Sequence, residues 1–147
     1  MRVRDFMSTS PISVTPETPV AEARDLMRRR QIRHLLVLDG ERLAGIITDR
    51  DIRLVLPSPA TSLSVWEINY LLAQLRVERV MTRSVITVSS DRPVEEAVRL
   101  MLAHKIGALP VREADRVLGI ITETDLLRAF ARVLGQEAEP APAAALP

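Results

Sequence analysis

Apolar and polar residues follow two rhythms along this chain, and the rhythms recur in the same order twice. Ile12-Ser13-Val14 alternates with a period of two and predicts a short strand. Thr18-Pro19 then opens a helix, with Thr18 placed to cap it and Pro19 at its first position. Its apolar face carries Val20, Ala23, Leu26, Met27 and the aliphatic stem of Arg30. Leu35–Leu38 and Leu43–Ile47 are apolar runs separated by Asp39-Gly40-Glu41-Arg42, the pattern of two strands joined by a tight turn. Asp49 to Leu56 reads as a helix stopped by Pro57. Residues 2–7 form a lead-in with room for one helical turn.

The order returns as a strand at 86–88, a helix at 94–104, strands at 109–112 and 117–121, and a helix at 123–134. Shifting the chain by 74 residues lays one copy on the other. Residues 3–53 and 77–127 then share 20 identities in 51 positions without a gap. So long a period indicates two copies of a small domain rather than a solenoid. The expected fold is α/β (α+β): two units of strand, helix, strand, strand, helix, packed through their sheets as a pseudo-twofold pair. Residues 1–56 are the first copy, 57–76 a linker carrying a helix over Val65–Leu75, and 77–134 the second copy. Trp66, Tyr70 and Leu71 give the linker helix an adhesive side, suited to capping the pair or reaching a partner subunit. The Ala/Pro-rich stretch 135–147 cannot build a core and is expected to be disordered.

Composition narrows the functions open to such a pair. The 147 residues are 47% apolar but only 3% aromatic, so aliphatic side chains must fill the core. A net charge of +1, with no basic stripe or aromatic platform, argues against nucleic acid and acidic membrane surfaces as partners. The Arg28-Arg29-Arg30 run suits a helix C-terminus. Without cysteine there is no thiol chemistry and no disulfide, which fits a reducing compartment. No segment has the pattern of a signal peptide or membrane span, so the expected location is cytoplasmic.

Candidate chemistry lies at Gly45-Ile46-Ile47-Thr48-Asp49-Arg50-Asp51 and Gly119-Ile120-Ile121-Thr122-Glu123-Thr124-Asp125. Both stretches fall where a strand ends and a helix begins, and exposed amides there favour an anionic or polar ligand. Asp51 and Asp125 each place a carboxylate in a first helical turn, where it can accept both hydroxyls of a ribose. The same Thr-x-x-Asp spacing also suits a capping box, so Thr48 with Asp51, and Thr122 with Asp125, could serve only to satisfy helix amides. Around the carboxylates, Ile12, Val14, Ile32 and Leu36 could sandwich a flat base in one copy. Ile86, Val88, Ile106 and Pro110 could do so in the other, and all of these are equally natural core residues. Arg33, His34, Arg50 and Arg53 could meet phosphates in the first copy. The second offers Lys105 and Arg128 but has Gly107, Ala108 and Thr124 where the first has Arg33, His34 and Arg50.

With Ile32-Arg33-His34-Leu35-Leu36-Val37, its counterpart Ile106-Gly107-Ala108-Leu109-Pro110-Val111, and a Gly-hydrophobic-x-Thr-x-x-Asp motif after each, the chain resembles a tandem cystathionine-beta-synthase (CBS) domain pair, or Bateman module. Within that family the interrepeat segment and the end of the second copy resemble the acetoin-utilisation type, here expected without its ACT domain. The resemblance implies that Thr48 and Asp51, and Thr122 and Asp125, hold the ribose of an adenosyl ligand. It places the base among Ile12, Val14 and Ile32, or Ile86, Val88 and Ile106. The implied ligand is AMP, ADP, ATP or S-adenosylmethionine, bound in the cleft between repeats. The implied role is a non-catalytic regulatory module that forms a homodimer and acts on an unidentified target protein. Many family members have Pro where this chain has Leu36; Pro110 keeps it. Against an enzyme, His34 and His104 are the only histidines, and no HExxH, GxSxG or P-loop pattern is present. A structural or protein-interaction module with no bound ligand is the remaining alternative, and capping is its support. No metal ligand set is apparent.

Overall fold

Both copies build the same five elements, and the positions at which they differ follow from single residues. The computed structural model of the chain describes residues 1–58 and 60–135. The first copy contains β1 (Ser13–Val14), α1 (Val20–Arg30), β2 (His34–Asp39), β3 (Arg42–Thr48) and α2 (Asp49–Val55). After α3 (Val65–Gln74) the second contains β4 (Val88–Ser89), α4 (Val94–His104), β5 (Ala108–Glu113), β6 (Arg116–Thr122) and α5 (Glu123–Val133). Each copy makes one three-stranded sheet, ordered β1-β2-β3 and β4-β5-β6, with a parallel pair followed by an antiparallel hairpin. The disordered tail expected from residue 135 lies, beyond Gly135, outside the described residues.

The chain divides into two compact units whose limits are offset from the sequence repeat. Among the described residues one, the Asp51 unit, is Ile12–Ser84; the other, the Asp125 unit, joins Met1–Pro11 to Val85–Gly135. A 3-10 turn at Val3–Asp5 therefore belongs with β4-β5-β6, and its counterpart at Val77–Arg79 with β1-β2-β3. Val3, fully buried, joins a core of Val88, Ala97, Met101, Leu109, Val111 and Ile121. Ser8 and Ile120 exchange two backbone hydrogen bonds at 2.9 and 3.1 Å, which adds the lead-in to the edge of β6. Thr82 and Ile46 do the same at 2.9 and 3.0 Å on β3. The exposed edge of each hairpin is thereby paired.

This pairing explains the glycine of each Gly-hydrophobic-x-Thr motif. A Cβ at Gly119 would lie 2.0 Å from the Ser8 carbonyl oxygen, and one at Gly45 would lie 2.6 Å from that of Thr82. Only a residue without a side chain admits the lead-in this closely.

In the Asp51 unit, Val14, Val20, Ala23, Met27, Leu35, Val37, Ile47 and Ile52 form the core with Leu72, Val77 and Met81. Leu35 and Val37 face this core, and the buried Leu36 between them points to the other face of the sheet. The helix α3 is held by a Ser64–Glu67 capping box and packs on α1, burying Leu72, with Ile68 and Leu75 partly covered. Trp66 and Tyr70 stay 83% and 64% exposed.

Three expectations change. Thr18 does not cap α1: its hydroxyl accepts the Thr15 amide at 3.1 Å, and Pro19 is the residue before the helix. Residues 18–20 are tied to the chain entering the 3-10 turn at Val77–Arg79 by bonds from Val77 N–H to the Thr18 carbonyl and from Val20 N–H to the Leu75 carbonyl, both 2.8 Å. Arg30 is exposed rather than packed along the apolar face. The strand expected at 86–88 is Val88–Ser89. β1 pairs Ser13 with Leu36, but the matching partner in the second copy is Pro110, which has no N–H; the ladder there starts at Val88 and Val111. At the close of α2, Leu56 before Pro57 is extended, as proline demands.

Candidate functional site

The two Thr-x-x-Asp sequences occupy the same place in both units. Each threonine ends the central hairpin and is the N-cap of the following helix, and each aspartate sits in that helix's first turn. The hairpin register pairs Thr48 with His34 and Thr122 with Ala108. The first helical amide is held across the hairpin mouth: Asp49 N–H donates to the Arg33 carbonyl at 2.9 Å, and Glu123 N–H to that of Gly107 at 3.0 Å.

Both capping boxes are complete. The Thr48 amide donates to Asp51 Oδ2 at 2.9 Å, and the Asp51 amide returns a bond to Thr48 Oγ1 at 3.1 Å. The Thr122 amide donates to Asp125 Oδ2 at 2.9 Å, and the Asp125 amide reaches Thr122 Oγ1 at 3.5 Å. Capping therefore uses one carboxylate oxygen in each unit.

The second oxygen separates the units. Asp51 Oδ1 has no hydrogen-bond partner among the described residues. Asp125 Oδ1 accepts Arg128 Nη1 at 3.0 Å, while Asp125 Oδ2 also accepts the Thr122 hydroxyl at 3.1 Å. Asp125 is buried, with 7% of its surface exposed, and Asp51 is only half-buried.

The surrounding residues fall into three groups. Val14 and Val88 are core members. Ile12 and Ile32, and likewise Ile86 and Ile106, are half-buried against those cores and form an apolar rim; Leu36 and Pro110 are fully buried in their strands. Arg33 and Arg50 are exposed, and His34 is half-buried at the start of β2. Arg53 pairs with Asp49 at 3.6 Å on the surface of α2.

Sequence reasoning missed two contacts. Arg128, taken as a phosphate candidate, is engaged by Asp125; the Asp-x-x-Arg spacing on a helix was the available signal. The Glu123 carboxyl group lies against Gly107, 3.2 Å from where a Cβ would stand. The first copy has Arg33 at the Gly107 position, so the unlike pairs Arg33/Asp49 and Gly107/Glu123 carried that signal.

Among the described residues no group of acidic, histidine or cysteine side chains could hold a metal ion. No helix among them is long and apolar enough to cross a membrane.

Comparisons with known proteins agree with this geometry. The CBS domain family model matches residues 3–58 and again 77–132. A CBS domain-containing protein of Dictyostelium discoideum is 33% identical over 142 residues, covering 95% of both chains. An AcuB-type protein of Vibrio cholerae superposes with a TM-score of 0.76 at 29% identity, covering 95% of this chain and 98% of that one. The CBS domain pair of protein MJ0100, solved with 5-methylthioadenosine and S-adenosyl-L-methionine, gives 0.74 at 30% identity over 90% and 98%. Several other curated relatives are longer, and the chain spans less than half of each.

Proposed function

Because the chain belongs to the CBS domain family and carries that domain twice, we propose that it is a non-catalytic regulatory module that binds an adenosyl ligand through Asp51 and Asp125. The observation that carries this reading is the Asp51 carboxylate. One oxygen closes the capping box, and the other stands without a partner among the described residues. An ionised carboxylate has lone pairs for about four donors, so a ribose diol can be added without opening the cap. The ligands named with the MJ0100 pair are of this chemical class.

Charge divides the ligand class between the units. Arg33, Arg50 and the half-buried His34 stand near the Asp51 cap and favour an adenosyl ligand with phosphate: AMP, ADP or ATP. In the Asp125 unit the Glu123 carboxyl lies over Gly107 and repels phosphate. That unit takes a phosphate-free adenosyl compound such as S-adenosylmethionine.

Calorimetric titration with AMP, ATP, adenosine and S-adenosylmethionine tests this. Hydrogen bonds to a charged group contribute about 1.5–3 kcal/mol. Asp51→Ala is therefore expected to weaken phosphate-bearing ligands in its unit at least about tenfold, and Asp125→Ala to do the same for S-adenosylmethionine in its own. Saturable binding indifferent to both substitutions removes the carboxylates from the site.

The alternative, a protein-interaction module without ligand, is favoured by the two complete capping boxes, which already account for both threonines and both aspartates. It predicts no binding by any of the four compounds and a loss of about 1 kcal/mol of stability for each Asp→Ala change.

The proposed module acts in the cytoplasm as a homodimer on a separate target protein. Its dimer face is α5, where Leu127, Phe130 and Val133 are exposed, together with the exposed Leu102 of α4, the helix α5 packs on. Leu127→Glu with Phe130→Glu is expected to halve the molecular mass measured by light scattering; an unchanged mass removes this face from the assembly.

A further inference from the structure

Two carboxylates set by one sequence motif do not present the same surface to a ligand. Asp51 keeps Oδ1 without a hydrogen-bond partner among the described residues, whereas Asp125 accepts three side-chain and backbone donors, including Arg128 Nη1 at 3.0 Å on Oδ1. The Arg128 pair is not an ordinary surface ion pair. The Asp125 side chain is 9% exposed while the Arg128 side chain is 45% exposed, so the arginine reaches to a charge already removed from most solvent. Desolvation strengthens such a contact relative to two exposed partners. The residue at the Arg128 position in the first copy is Leu54, which has no donor and is 74% exposed.

We propose that Arg128 is a built-in competitor for the ligand's vicinal diol in the Asp125 unit, so that the two units bind at different ligand concentrations. The inference rests on the reading of Asp51 and Asp125 as ribose ligands. A diol arriving at Asp51 finds an accepting oxygen. A diol arriving at Asp125 must first displace a guanidinium, and the energy of breaking that pair is subtracted from its affinity. For an uncharged adenosyl compound that both units can accept, the Asp51 unit then fills first, and the Asp125 unit responds only at higher ligand concentration. One chain thereby carries two thresholds.

The repeat supplies its own reciprocal test. Arg128→Leu gives the Asp125 unit the first copy's side chain, and Leu54→Arg does the opposite on a surface open enough to accept it. Adenosine is the probe, because it has the diol and no charge. Asp51→Ala isolates the Asp125 unit, and Asp125→Ala isolates the Asp51 unit. Arg128→Leu is expected to tighten adenosine about fivefold to tenfold in the Asp125 unit, and Leu54→Arg to weaken it comparably in the Asp51 unit. Raising salt should tighten the Asp125 unit by weakening the internal pair and leave the Asp51 unit flat, a response that a merely structural arginine would not give. Unchanged or weaker binding in Arg128→Leu overturns the proposal, and so does a salt response equal in both units. If those arms fail while each Asp→Ala change still abolishes its own unit's binding, the ribose reading stands and only the competitor falls. If folded wild-type protein binds no adenosyl compound, both fall together. Arg128→Gln, which retains the length and helix propensity of the side chain, serves where the leucine variant does not fold.

Discussion

The Asp51 and Asp125 units are built on one pattern, and their differences are concentrated where the hairpin ends and the following helix begins. Their cores are interchangeable: Val14, Ala23, Met27, Leu35, Val37 and Ile47 correspond to Val88, Ala97, Met101, Leu109, Val111 and Ile121, with identical residue types. Their capping boxes use the same residue types, threonine and aspartate. The rim differs: Arg33 against Gly107, His34 against Ala108, Arg50 against Thr124, Leu54 against Arg128. The scaffold and the cap have narrow geometric tolerances. Arg33, Arg50, Leu54, Thr124 and Arg128 are exposed, so each copy can carry its own charge there at little cost to folding. Function diverges where the fold permits it.

The largest expected effect breaks the comparison at the motif glycines. Alanine at Gly119 would place its Cβ 2.0 Å from the Ser8 oxygen and 3.0 Å from the Ser8 carbonyl carbon, both backbone atoms. The lead-in must move away and lose its two bonds to Ile120. Alanine at Gly45 meets the Thr82 oxygen at 2.6 Å and the Met81 Sδ at 2.8 Å, a smaller overlap that a flexible side chain shares. Gly119→Ala should cost about 2–4 kcal/mol and Gly45→Ala clearly less. Urea denaturation measures both, and equal losses would mean that the two lead-ins are held alike.

Much of this arrangement was readable from residue order. The period-two and period-3.6 stretches located all five elements of each copy, because Val20, Ala23 and Met27, like Val94, Ala97 and Met101, return to one helix face. The Thr-x-x-Asp pairs declared the two capping boxes that form. What residue order did not carry was distance along the chain. Nothing local in Met1–Pro11 says that it packs with residues beyond Val85, since the information lies in Gly119, which tolerates the approach. Pro110 moved the start of β4 by removing one donor, an effect visible only once its partner strand is known. Arg128 was legible as a cation and as the third residue after an aspartate. That these two facts cancel its availability to phosphate requires the side-chain geometry.

The smallest effect sharpens the comparison at the hairpin turns. Both turns are two residues long, Gly40-Glu41 between β2 and β3 and Ala114-Asp115 between β5 and β6. Both first residues adopt a positive φ, +64° at Gly40 and +54° at Ala114. A side chain in that region meets its own backbone, at about 1 kcal/mol, and glycine does not. No atom lies within 4 Å of a Cβ built on Gly40, so nothing but backbone conformation distinguishes the two residues there. Gly40→Ala is then expected to destabilise the chain by about 1 kcal/mol. Ala114→Gly should stabilise it by a comparable amount, because the relief of the positive φ and the greater unfolded-state freedom of glycine enter both changes with opposite sign. The double swap should come close to the wild-type midpoint, since the two sites lie in separate units and their effects add. A stabilising Gly40→Ala would show that this hairpin turns without the positive φ that Ala114 accepts.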